Sequence, residues 1–399
     1  MQTLHTVLKR GALVWVRDDV PAALFPPRLA RVQAAIEAAG HDAWLVYGDA
    51  LRYGDLAYLT HFLPRVRGAA VLVPRTGQPT LLVAVGSRDI PAAKTLTWVE
   101  DVRPFTRLPG EVAKLVRERG LEQAHIGLVD VEEQLAITEW DQIRALLPDV
   151  RWDAADGTIA RLRAAKEPAE ETVLRRVAGI VQDGLDAAAR ALRPGLSERE
   201  LLAEVDRRMR YDAAEDVRCL IASGPRASMS LRPPDDRVLE AGDVVLLHLA
   251  AEYQRYWAEG GQTFVLGTAD ADTQALADAA RGAVQAMAAG AGPGAVAGAV
   301  ADAGLASLGD AQPLLSPQHG AMSASYGLGH GVGLDVEEPP YVRPGEASPL
   351  VDGAVLALHV VLHGRDGHGA LATQMVVVGP DGAAPLAAVP PLREISATR

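Results

Sequence analysis

The stretch Tyr326-Gly-Leu-Gly-His330-Gly-Val-Gly-Leu-Asp335-Val-Glu-Glu338-Pro-Pro340 sets one histidine among four glycines and follows it with carboxylates and a pair of prolines. Glycine lets a backbone approach a neighbour closely, and the prolines forbid a simple continuation of helix or strand ladder. Such a segment is poor at building a core and good at bringing an imidazole near a small target. On the segment alone, a glycine-rich loop with a surface histidine is an equally good reading.

The other histidines change the balance. Half of the ten fall between 319 and 368, and His248 sits in the middle of the apolar run Val244-Val-Leu-Leu-His-Leu-Ala250. An imidazole in an apolar strand is costly without a partner. That strand continues through Ala251-Glu-Tyr-Gln-Arg-Tyr256 to Glu259-Gly-Gly-Gln-Thr-Phe264. With Tyr253-Gln254 at the centre of a tight turn, His248 falls directly opposite Glu259. In Val355-Leu-Ala-Leu-His359-Val-Val-Leu-His363, period two puts both histidines on one face, although His363 also starts a polar turn. His248, Glu259, His330 and His359 together would suit one Zn, Fe, Mn or Ni ion.

At 399 residues the chain is long enough for two domains, expected at 1–155 and 156–399. The first reads as an α/β domain. A helix is expected over Arg28–Ala39 with Gly40 as its stop, and strands over Ala43–Tyr47, Ala69–Val73, Thr80–Ala84 and His125–Val129. None of their flanks gathers ligands or a nucleophile, so no chemistry is expected there. The second domain opens with an amphipathic helix over Glu170–Leu192, a Pro194-Gly195 break, and a second helix through Met209 capped by Ser197 and Glu200. About a hundred residues later the pattern returns as Ala275–Ala289, Pro293-Gly294 and Ala295–Leu308. Each pair precedes apolar strands: Val217–Ala222 and Val244–Ala250, then Val355–Leu362 and Leu371–Val378. Two copies of one αα-ββ unit, related by a pseudo-two-fold axis, would form a curved sheet backed by helices.

Composition narrows the function. The 49% hydrophobic and 23% charged residues are those of a soluble globular protein. A net charge of −12 without any long basic run excludes a phosphate-tracking surface, so no nucleic-acid partner is expected. Ala283–Ala301 is uncharged and mostly alanine and glycine but is broken by Gly292-Pro-Gly294, which predicts a packed helix pair and no membrane span. A single cysteine, Cys219, excludes an internal disulfide, and the N-terminus lacks a secretory pattern; a cytoplasmic protein is expected.

At this point the residues carry a resemblance. Arg163-Ala-Ala-Lys-Glu-Pro-Ala-Glu-Glu171, Arg193-Pro-Gly-Leu-Ser-Glu198, Leu239-Glu-Ala-Gly-Asp-Val-Val245, Gly329-His-Gly-Val-Gly-Leu334 and Glu338-Pro-Pro340 resemble, in order, landmarks of the creatinase/prolidase/aminopeptidase P family. Leu56-Ala-Tyr-Leu-Thr-His-Phe62 is similar to part of its usual N-terminal domain. The resemblance implies an α/β (α+β) chain: a creatinase-like N-terminal domain, then a pita-bread domain, commonly as a homodimer. Typical members hold two divalent metals with two Asp, one His and two Glu. Here only His330 stands as such. The two Asp positions read His248 and Glu259, the first Glu position reads His359, the last reads Thr373, and the histidine normally beside Glu338 is Glu337. The catalytic histidine of creatinase would fall near Leu231, where no histidine occurs.

The expectation is therefore a hydrolase-like enzyme with a rebuilt, non-dinuclear site. It would cleave a C–N bond of a small, even non-peptide, substrate around one metal held by His248, Glu259, His330 and His359. Glu337 or Glu338 would serve as acid or base, and Arg232, Tyr326 and His363 would bind substrate. The altered ligands argue against ordinary Xaa-Pro peptidase chemistry. A metal-free creatinase-like hydrolase and a silent binding or partner subunit are the alternatives.

Overall fold

The structure, a computed structural model, describes residues 13–65, 67–155, 157–316 and 327–396. The chain divides into two compact units, Met1–Arg163 and Ala164–Arg399.

The first unit is built on a six-stranded sheet. Its strands are β1 (Ala43–Asp49), β2 (Gly68–Pro74), β3 (Thr80–Val83), β4 (Asp101–Pro104), β5 (His125–Val129) and β6 (Arg151–Ala154), in the order β4-β3-β2-β1-β5-β6. β1 pairs antiparallel with β2 and parallel with β5. Both faces of β1 and β2 are buried, which is why these segments are continuous apolar runs without alternation. Helix α1 (Phe25–Ala38) buries Leu29, Val32 and Ile36, and Gly40 ends it at a φ of +71°. The edge strands β4 and β6 are four residues each and polar, so periodicity gave no sign of them.

The second unit opens with helices α2 (Pro168–Ala191) and α3 (Glu198–Tyr211). The capping box of α3 is the expected one: the Ser197 hydroxyl accepts from the Glu200 backbone N–H, and the Glu200 carboxylate accepts from Ser197 N–H at 2.8 Å. β7 (Asp216–Ser223), β8 (Val244–Tyr253) and β9 (Tyr256–Leu266) follow. Helices α4 (Ala271–Gly290) and α5 (Ala297–Leu308) then repeat the pattern, turning at Gly294 with a φ of +81°. Among the described residues no helix is long and apolar enough to cross a membrane. β10 (Gly329–Gly331), β11 (Glu338–Val342), β12 (Val355–His363), β13 (Gly369–Gly379), β14 (Gly382–Pro385) and β15 (Arg393–Ile395) complete the chain.

These strands form two sheets, β15-β9-β8-β7 and β11-β10-β12-β13-β14. They meet where β9 lies against β13: the Thr263 hydroxyl accepts from Leu371 N–H at 2.8 Å and donates to the Leu371 carbonyl at 3.1 Å. The helices lie behind, with Val284, Met287 and Val300 in one core with Leu356, Leu358 and Val376. The fold is the α/β domain and pita-bread domain that the resemblance implies.

One expectation needs correcting. Gly329-His330-Gly331 is no loop; it is an inner strand, held between β11 and β12. A Cβ at Gly329 would lie 2.5 Å from the Ala357 carbonyl oxygen, and one at Gly331 would lie 2.5 Å from that of Pro339. The glycines exist for close packing on both sides of His330, and flexibility is not their purpose.

Candidate metal centre

β8 and β9 are joined by the two-residue turn Gln254-Arg255, both at positive φ, 49° and 69°. Tyr253 therefore faces Tyr256, Ala250 faces Glu259, and His248 faces Gly261. This corrects the expected register, in which the turn lay one residue earlier and His248 stood directly opposite Glu259. The cause is Glu215, whose buried carboxylate accepts from Arg255 N–H at 3.3 Å and from its guanidinium at 3.1 Å, pinning the turn at that residue. The pairing shifts by two positions, so the side chains keep their face. His248 Nε2 reaches diagonally to within 3.1 Å of Glu259 Oε2.

His330 approaches the same carboxylate from the other sheet, its Nε2 3.7 Å from Glu259 Oε1. Its Nδ1 lies 2.9 Å from the Gly331 carbonyl oxygen. A carbonyl only accepts, so Nδ1 carries a proton and Nε2 is the ring nitrogen turned toward Glu259. His359 on β12 lies beside it, ring centroids 5.2 Å apart. One donor atom each from Glu259, His330 and His359 lie within 4.8 Å of one another, and all three residues are buried. Across from His359 on β13 stands Thr373, whose buried Oγ1 has no hydrogen-bond partner among the described residues. Gly261 makes room for it, since a Cβ there would lie 2.6 Å from that oxygen.

Burial pushes the Glu259 carboxyl up, but His330, the hydrogen bond from His248, and Arg218 outweigh it and hold the group below the usual carboxylate range. Its N–H donates to Met375 Sδ at 3.1 Å.

The remaining expected site residues are placed differently. Glu338 is buried in an ion pair with Lys166, Nζ to Oε1 2.5 Å, with both side chains almost fully covered. That pair engages one of its two carboxylate oxygens. Glu337 is half-buried, and burial followed by the Glu337 charge raises the Tyr341 phenol. His363 donates its Nδ1–H to the Ala227 carbonyl at 2.8 Å, and burial holds its pKa down; it is a fastener between β12 and the segment after β7. Arg232 pairs through its backbone with Ile221, and its charge bears on Asp235. Among the described residues, neither His363 nor Arg232 has a hydrogen bond or ion pair to the cluster. Tyr326 lies outside the described residues.

The expectation that the first unit gathers no ligands also needs correcting. His41, His125 and Asp153 place donor atoms within 4.8 Å of one another where β1, β5 and β6 run side by side. Nevertheless the tautomer argues against a metal there. Trp44 Nε1–H, which only donates, lies 2.8 Å from His41 Nδ1, so Nε2 must carry the proton. A ligating histidine normally donates through its outer nitrogen, as His330 does and His41 does not.

A small α/β domain followed by two helix-backed sheets with buried imidazoles and a carboxylate where they meet defines a two-domain hydrolase architecture of the metal-dependent kind. Comparison with known proteins agrees. The model of metallopeptidase family M24 matches residues 172–380, and that of the creatinase/prolidase N-terminal domain matches residues 28–165. The chain belongs to metallopeptidase family M24, a hydrolase family whose members use divalent metals. Among curated relatives, a putative dipeptidase of Bacillus subtilis (strain 168) is 23% identical over 91% of this chain and 98% of its own length. An Xaa-Pro dipeptidase of Pyrococcus horikoshii is 27% identical over 51% of this chain and 56% of its own. Among solved structures, an X-Pro aminopeptidase from Thermotoga maritima superposes with a TM-score of 0.80 at 21% identity, covering 92% of this chain and 99% of that one. That likeness concerns the fold.

Proposed function

We propose that this chain hydrolyses the C–N bond of a small, dipeptide-sized substrate at a centre built for one divalent ion, with Glu259, His330 and His359 as ligands and His248 at their side. The observation that carries the reading is the spacing of three buried groups: one donor atom each from Glu259, His330 and His359 lie within 4.8 Å of one another, and with His330 Nδ1 donating to the Gly331 carbonyl, its Nε2 is the atom turned toward Glu259. A buried carboxylate and two imidazoles at that spacing are a donor set that a divalent cation can hold together. The dipeptidase names of the curated relatives support the size of the substrate.

The donor set fits one ion better than two. Two divalent ions would bring four positive charges against one carboxylate, and the positions that could bridge them carry imidazole or the neutral Thr373 hydroxyl. The mixture of three imidazoles and one carboxylate suits Zn, Fe, Mn or Ni. A bound ion of this kind polarises a carbonyl and lowers the pKa of water. His248 holds one oxygen of Glu259 and so directs the other. Glu337, on the link between β10 and β11, is the acid or base in this reading. Glu338, locked to Lys166, anchors the start of β11 and thereby positions Glu337.

The test is the metal content of protein purified without a polyhistidine tag, with calorimetric titration of Zn, Fe, Mn and Ni. One ion per chain is expected, lost in Glu259→Gln and His330→Ala. Two ions per chain would overturn the mononuclear reading, and no ion gained, together with full activity in chelator, would favour direct proton transfer by the His248 and Glu259 pair. A homodimer in a reducing cytoplasm belongs to the same proposal, and light scattering on the eluting protein checks the dimer.

A further inference from the structure

Where the two sheets of the second unit meet, three contacts between β9 and β13 follow one register. Thr263 exchanges hydrogen bonds with Leu371, a Cβ on Gly261 would lie 2.6 Å from Thr373 Oγ1, and Glu259 N–H donates to Met375 Sδ. Joined to the strand pairings on either side, this register lays out two neighbouring rows of residues. The first runs His248, Gly261, Thr373, His359, and the second runs Ala250, Glu259, Met375, Ala357, His330. Every donor of the proposed centre stands in one of these rows. Thr373 stands between His248 and His359 in the first, and Gly261 beside it contributes no side chain.

Thr373 is 3% exposed, and its Oγ1 has no hydrogen-bond partner among the described residues. A hydroxyl can donate once and accept twice, so leaving it unused inside the protein is costly unless something polar arrives there. Its neighbours are already engaged, His248 with Glu259 and His330 with the Gly331 carbonyl. As a ligand Thr373 is poor, since a neutral hydroxyl brings no charge to a cation. It is better suited to water. A cavity of about 20 Å³ between β9 and β13 is lined by Glu259, Gly261, Thr373 and Gln374, with Val181 and Gln182 of α2 behind them. That is room for one water molecule, and the buried Gln374 Oε1 likewise has no partner among the described residues. Water-sized space therefore adjoins the unused hydroxyl.

We propose that the Thr373 hydroxyl holds the attacking water of the hydrolysis, over Gly261 and between His248 and His359. The assignment rests on the hydrolase reading above. In that reaction the water oxygen forms its bond to the carbonyl carbon and the C–N bond breaks. One water proton passes to the base and then to the leaving nitrogen. The other stays on the oxygen, and Thr373 Oγ1 accepts it. Free water turns in place, so a fixed acceptor for one proton leaves the lone pair and the second proton in the orientation that reacts. Gly261 keeps the place open, because a side chain there would meet the Thr373 oxygen.

The experiment compares wild type with Thr373→Val, which keeps the shape and removes the hydroxyl, and with Thr373→Ser, which restores it. Hydrolysis of glycyl-L-proline is read as kcat and KM. Sodium fluoride, whose anion is close to hydroxide in size and accepts a hydrogen bond, is titrated into the metal-loaded protein by calorimetry as a readout without turnover. Thr373→Val should lower kcat by about 10- to 100-fold with KM and metal content unchanged, and weaken fluoride binding by about tenfold. The melting temperature of its metal-free form should not fall, because the variant removes a hydroxyl that has no partner. Thr373→Ser should recover most of both losses. Loss of metal from Thr373→Val would make the hydroxyl a ligand, and unchanged kcat and fluoride affinity would leave it a packing group; either result overturns the assignment. A wild type that does not cleave the dipeptide, yet loses fluoride affinity on Thr373→Val, counts against the hydrolase reading and leaves the water site standing.

Discussion

Two glutamates and two histidines show how much a neighbour decides. Glu338 follows the glycine-rich stretch directly and looks catalytic in sequence, yet Lys166 claims its carboxylate in a buried pair. Removing one partner strands the other charge, so Glu338→Gln and Lys166→Met should each cost about 3–5 kcal/mol in urea unfolding while metal stoichiometry stays the same. Glu259→Gln should do the reverse, losing the metal. His41 and His330 differ in the partner of Nδ1, a donor for the first and an acceptor for the second. Burial, followed by the charge of His125, lowers the pKa of His41, and burial lowers that of His363. A folded-state pKa below the unfolded value of about 6.5 means that the unfolded chain takes up the proton first. Stability should therefore be constant above about pH 6.5 and fall as the pH drops toward the folded-state values. His41→Gln, which can still accept from Trp44, should flatten the melting temperature between pH 7.5 and 5.5. Cys219 is inert for a related reason: burial pushes its thiol up to about 12, so little thiolate exists at neutral pH.

At the scale of the element, β10 and the β8–β9 hairpin are set by contacts that no local pattern records. Gly331→Ala would drive a methyl group to 2.5 Å from the Pro339 carbonyl oxygen. Backbone cannot yield as a side-chain tip does, so the strand must shift and carry His330 with it. Metal affinity in calorimetry should fall by at least tenfold, with a loss of about 1–3 kcal/mol in stability. In the hairpin, Arg255 adopts a left-handed conformation that glycine would occupy without strain, worth about 1 kcal/mol. Arg255→Gly also strands the buried Glu215 carboxylate, at about 3–5 kcal/mol. The second effect is larger, so the apparently better turn should lower the urea midpoint.

At the scale of the molecule, the second unit brings Glu259, His330 and His359 together from separate stretches of chain, with His248 against Glu259. Two lie on β8 and β9, two on β10 and β12, and the sheets that carry them meet along β9 and β13. Binding that requires both sheets must stabilise their association. At a free metal concentration of a hundred times Kd, the gain should be about 2.7 kcal/mol, read as a rise in the unfolding midpoint that disappears in His330→Ala.

The sequence alone determined the two-part organisation, the paired helices with their Pro-Gly breaks, the apolar strands, and the choice of His248, Glu259, His330 and His359 as side chains to look for together. These follow from local causes: periodicity, capping, turn chemistry, and the cost of an imidazole in an apolar run. It could not settle which strands neighbour one another or which side-chain atom meets which. It therefore set the hairpin one residue early, left β10 open to a loop reading, did not pair Glu338 with Lys166, and gave no sign of the His41 group. Each of those depends on residues far apart in the chain, such as Glu215 with Arg255 and Lys166 with Glu338. Only the tertiary structure brings such partners within reach, because pairing and proton position are decided by the neighbour across the sheet and not by the neighbour along the chain.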